Sequence, residues 1–88
     1  MEIKKKGNTI IIGEEDLDIY MADPLKIEIL DMFEKNKKNM SLDMSSVTRI
    51  TTPVIQVILS SQKSFKSFKL KSVSDAVSDD LIKFGVNI

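Results

Sequence analysis

The chain contains no cysteine and no histidine. Without cysteine there is no disulfide framework and no thiolate metal site. Without histidine the commonest general base and the commonest transition-metal ligand are missing, which excludes zinc centres built on imidazole and Ser-His triads. There are only 3 glycines, and none lies in a phosphate-cradling loop. Asp79 and Asp80 are adjacent acids, but neighbours on a helix point apart and do not form an acid/base pair. No catalytic residue, metal ligand or cofactor is assigned, and the sequence predicts a non-enzymatic protein.

Long apolar runs are also missing. The basic start Met1-Glu2-Ile3-Lys4-Lys5-Lys6 is followed only by Ile10-Ile11-Ile12, too short for a secretory signal or a membrane span. The expected location is the cytoplasm, with no direct membrane insertion. Lys plus Arg equals Asp plus Glu at 13 each, so net charge gives no reason to expect nucleic acid or an anionic membrane as partner. Lysines 63, 66, 69 and 71 alternate with Phe65 and Phe68 and faintly suggest nucleic acid. The phenylalanines fall where core packing expects them, so nucleic acid is set aside. With 88 residues the chain reads as one domain, 1–88, with a thin core.

What is there alternates strand and helix. A first strand is expected around Met1–Lys5, a turn at Gly7-Asn8 and a buried β-branched strand at Thr9–Ile12. Glu14-Glu15-Asp16 reads as an acidic loop, a charge run of the usual solvated kind. Asp23 is the expected N-cap and Pro24 the first residue of a helix carrying Leu25, Ile29, Met32 and Phe33 inward. The polar stretch 35–39 ends it. Met40, Leu42 and Met44 alternate with Ser41 and Asp43 as a strand. A loop Ser45–Arg49 follows, with Val47 inward. Thr52 is the expected N-cap and Pro53 the first residue of a second helix, with Val54, Ile55, Ile58, Leu59 and Phe65 as its apolar stripe. Lys69–Val73 reads as an edge strand. Ser74 or Asp75 opens a last helix with Val77, Leu81 and Phe84 inward, stopped at Gly85. The expected fold is α/β: a small mixed, mostly parallel sheet flanked by helices, in the order β-β-α-β-α-β-α.

The segment Leu42-Asp43-Met44-Ser45-Ser46-Val47-Thr48-Arg49-Ile50-Thr51-Thr52-Pro53-Val54-Ile55-Gln56-Val57-Ile58-Leu59 resembles the signature of STAS domains, the anti-sigma factor antagonist family. There a strand ending LDLS leads through a short loop into D-S-[ST]-G-L at the start of a helix. Gly13–Ile19 is similar to that family's G-E-L-D-I loop, with an acidic insertion. Val73-Ser74-Asp75-Ala76-Val77, followed by Phe84-Gly85-Val86, is similar to its last strand and helix. The resemblance spans nearly the whole chain. It implies a bacterial signal-transduction module that binds other proteins and acts in transcription regulation. In the regulatory branch of the family, the Ser or Thr after the motif's Asp is phosphorylated by a partner kinase, and that position falls on Thr52. The chain departs from the motif at its Asp, where Thr51 stands, and at the following S-G pair, where Pro53-Val54 stand.

The resemblance makes Thr52 the candidate phosphoacceptor. Asp18, Ser45, Ser46, Thr51, Thr52, Pro53, Val54, Gln56 and Val57 become candidate partner contacts. Each also has a plainer reading: Thr52 as a helix cap, Asp18 as a solvated turn residue, Ser45 and Ser46 as ordinary loop residues, Gln56 as a surface helix former, Val57 as a lone exposed valine. Two functions fit. One is a phosphorylation-switched binder of an ATP-binding kinase or anti-sigma factor. The other is a constitutive adaptor subunit on the ATPase of an ABC lipid transporter, or in a chemotaxis complex.

Overall fold

The computed structural model describes residues 3–35 and 39–87. The hairpin comes first. Strand β1 (Ile3–Lys6) pairs antiparallel with β2 (Thr9–Ile12). The reversal is made at Gly7, whose φ of +60° is open to glycine without a Cβ clash. After β2 the chain makes a two-residue strand, β3 (Asp16–Leu17), and a single 3₁₀ turn over Ile19–Met21. Helix α1 (Ala22–Glu34) follows, then β4 (Asn39–Asp43) and another two-residue strand, β5 (Arg49–Ile50). Helix α2 (Thr52–Ser64), β6 (Ser67–Lys71) and helix α3 (Asp75–Lys83) complete the chain. The result is a small α/β domain whose four-stranded mixed sheet runs β1-β2-β4-β6, with β2, β4 and β6 mutually parallel.

Register divides the sheet into two faces, because paired residues point the same way and neighbours along a strand point oppositely. Ile10 pairs with Leu42 and Leu42 with Leu70, while Met40 pairs with Phe68. This face carries the core: Ile10, Ile12, Met40 and Leu42 are fully buried with Leu25, Val54, Ile58 and Leu81 from the helices. Lys5 lies on the same face at the β1 edge, where its ammonium reaches Asp31 (2.6 Å) and Glu28 (2.9 Å) of α1. The other face aligns Lys4, Ile11, Asp43 and Lys71 in one row, and Lys6, Thr9, Ser41 and Lys69 in the next. Its four lysines are exposed, and only Ser41, in the middle of the sheet, is buried.

The helices begin differently from the sequence expectation. Asp23 does not cap α1. The helix starts at Ala22, entered from the 3₁₀ turn, and the capping carboxylate is Asp18, which accepts the Tyr20 N–H at 3.0 Å. Pro24 is accommodated at the third helical position because the first-turn N–H groups have no intrahelical acceptor anyway. Thr52 is likewise not a cap but the first residue of α2. Thr51 occupies the cap position, and its hydroxyl bonds elsewhere. Ser74 does cap α3, accepting from the Val77 N–H at 3.3 Å. Phe84, expected inward, lies beyond the last turn and is exposed; Val86 is buried instead. Phe33, also expected inward, is exposed on one side while its ring meets buried Phe65 edge-on at 5.2 Å. Gly85 sits at φ +89° just past the helix end, where a left-handed residue stops α3. The start of β1 at Met1-Glu2 and part of the stretch expected to end α1 (36–38) lie outside the described residues.

Candidate functional site

The segments before α1 and before α2 are stitched together by the small parallel pair β3–β5. Asp16 pairs with Arg49 and Leu17 with Ile50. The Glu15 carbonyl accepts from the Thr48 N–H (2.7 Å), the Arg49 N–H (3.1 Å) and the Thr48 hydroxyl (3.2 Å). The Leu17 carbonyl accepts both the N–H (3.1 Å) and the hydroxyl (2.9 Å) of Thr51. Buried Leu17 and Val47 anchor the stitch in the core. Its effect is to hold the first turn of α2 beside the 3₁₀ turn.

Between these elements and the end of α3 lies a cleft of about 490 Å³, lined by Ile19, Ile50, Thr51, Thr52, Pro53, Ile55, Asp80 and Phe84. Ile19 and Phe84 are 59% and 42% exposed, and Tyr20 beside Ile19 is exposed at 83%. Ile19 and Phe84 thus leave apolar surface exposed beside the cleft. Thr52 is exposed and lines it. Among the described residues, Asp80 is the one ionisable side chain lining it.

The structure sorts the expected contact residues. Thr52 and Pro53 stand together in the cleft. Thr51 lines it but is tied inward by its two bonds to Leu17. Asp18 is half-buried, its carboxylate engaged as the cap of the 3₁₀ turn. Ser45 and Ser46 are exposed in the loop between β4 and β5, where the Ser45 N–H donates to Asp43 at 3.0 Å. That bond, with Lys71 nearby, holds the Asp43 carboxyl below its ordinary value. Val54 is a correction: its side chain is wholly buried and faces the core, not a docking surface. Gln56 and Val57 do not line the Thr52 cleft; they line a second groove of about 310 Å³ between α1 and α2, with Leu30, Phe33 and Phe65. Ser61 of α2 is buried beside this groove, its hydroxyl folded back onto the Val57 carbonyl at 2.7 Å.

Sequence reasoning missed Ile19, Ile50, Ile55, Asp80 and Phe84 as lining residues. Ile19 had a visible signal: Leu17, Ile19, Tyr20 and Met21 are too closely spaced for all to face one core. Asp80 and Phe84 reach the cleft only through the packing of α3 beside β5, which no local pattern records. Among the described residues no group of three metal-ligating side chains occurs, and no helix is long and apolar enough to cross a membrane. No protein-family model and no curated protein matches the chain.

Proposed function

We propose that the chain is a STAS-type, non-enzymatic binding module that docks an ATP-binding regulatory protein through the cleft around Thr52. The observation that carries the proposal is the meeting of an exposed threonine, at the first position of α2, with the exposed apolar rim of Ile19 and Phe84. The motif resemblance points to the same residue. A phosphate on Thr52 would add roughly −1.5 to −2 charges at neutral pH. It would enter a largely apolar cleft lined also by Asp80, itself an acid. Desolvating a dianion there on docking is costly, so phosphorylation acts as release, and the fold need not change.

The second reading is the constitutive adaptor on a transporter ATPase or chemotaxis complex. It is favoured by Thr51 and Pro53-Val54 in place of the family's acid and S-G pair. There Thr52 is a contact and stays unmodified.

One purification separates the two. Tagged protein isolated from its source cells is expected to bring down an ATP-binding protein. Ile19→Asp lowers the yield at least tenfold, whereas Lys63→Gln, at the far end of α2, leaves it unchanged. The mass of the peptide containing Thr52 then reads the switch: phosphate on part of the population supports it, and a uniformly unmodified peptide supports the adaptor. Equal capture by the Ile19 variant removes the cleft from the account.

A further inference from the structure

The equal numbers of acids and bases conceal a segregation of charge. Lys4 and Lys6 on β1 and Lys69 and Lys71 on β6 all stand on the sheet face opposite the core, and among the described strand residues of that face Asp43 is the one acid. The whole chain is neutral, so the rest of it carries the compensating acid. The lysines border the face on its two edge strands, roughly 14 Å apart at a strand spacing of about 4.8 Å. Between them lie Thr9, Ser41 and half-buried Ile11.

We propose that this open sheet face is a docking surface for an anionic lipid bilayer. Three features favour that occupant. The charges are spread over the two edge strands of an open sheet face, which suits a planar array of headgroups. All four are lysines, point charges that meet scattered phosphates and carboxylates without demanding the planar geometry of a guanidinium. Among the described strand residues no aromatic side chain shares the face, since Phe68 points to the core side with Met40, so these strands offer no stacking platform of the kind single-stranded nucleic acid uses. Edge lysines also discourage strand pairing between molecules, but that task does not require all four on one face. None of the residues lining the Thr52 cleft belongs to this sheet, so bilayer and protein partner can be held together.

The test is flotation of the intact protein with phosphatidylcholine vesicles with and without 30% phosphatidylserine, at low salt and again at high salt. Binding is expected only with phosphatidylserine and is abolished by high salt. Each lysine near the surface contributes about a fivefold factor, so K69Q/K71Q weakens partitioning about 25-fold. The charge-matched K63Q/K83Q, on the helical side, changes it less than threefold. Asp43→Asn keeps an acceptor for the Ser45 N–H and is expected to strengthen binding severalfold. Lack of any phosphatidylserine dependence overturns the proposal. So does equal weakening by both double variants, or displacement from vesicles by DNA at matched phosphate concentration.

Discussion

The Leu17 carbonyl accepts two hydrogen bonds from Thr51, one from its N–H at 3.1 Å and one from its hydroxyl at 2.9 Å. A residue that would ordinarily cap its own helix instead fastens that helix to a segment 34 positions earlier. This fixes Thr52, the next residue, outward in the cleft.

Removing the hydroxyl isolates that function. Thr51→Val keeps the shape and the backbone bond but deletes one donor, leaving the part-buried Leu17 carbonyl with a single partner. The expected loss is about 0.5–1.5 kcal/mol, read from urea unfolding with an unchanged slope. Thr51→Ser should retain most of the stability. If valine and serine behave alike, the hydroxyl bond carries no energy.

The cap of α3 is a second local test. Ser74→Ala removes the acceptor for the Val77 N–H and should cost about 1 kcal/mol. Because Asp80 stands on this helix and Phe84 directly follows it, the variant is also expected to weaken partner capture, whereas Ser64→Ala at the end of α2 should not. A stability loss without a binding loss would separate α3 from the cleft.

Acid should destabilise the domain through Asp31. Hydrogen bonds from Lys5 and then Lys35 hold its carboxyl below the ordinary aspartate value, and the same contact with Asp31, followed by Glu28, raises Lys5. A carboxyl depressed in the folded state contributes stability above its unfolded pKa, about 3.9, and loses it as pH falls through the folded value. Asp43, depressed by the Ser45 hydrogen bond, acts in the same direction. Thermal unfolding from pH 6 to pH 2 should therefore show a falling midpoint below about pH 4, with a shallower fall in Asp31→Asn. Both groups are solvent-accessible, so the effect is small and salt-screened. An identical fall in the variant assigns the acid sensitivity elsewhere.

Strong periodicity made much of this fold readable. Thr9–Ile12 and Met40–Asp43 are strands because β-branched and alternating apolar residues face a core on a period of two, and Val54, Ile55 and Ile58 place α2 by helical spacing. Long-range pairing was not readable. Strands β3 and β5 are two residues each, and they exist because they find one another across the chain. Thr-Thr-Pro located the start of α2 to within one residue, but only the Leu17 carbonyl decides which threonine turns inward. Asp23-Pro24 misplaced the start of α1 because proline fits more than one position of a first turn. The net charge was legible, yet its separation into a lysine-bearing sheet face and an acidic remainder follows only from register.

The most direct measurement replaces Ile19, on the rim of the cleft, with a photo-crosslinking residue, and Lys63, at the far end of α2, in a parallel sample. Both proteins are irradiated in source cells. The account predicts a crosslink to an ATP-binding protein from position 19, absent from position 63 and lost when Thr52→Glu is added. A crosslink to the same partner from position 63 alone, or one from position 19 that survives the glutamate, would contradict docking at a cleft controlled by Thr52.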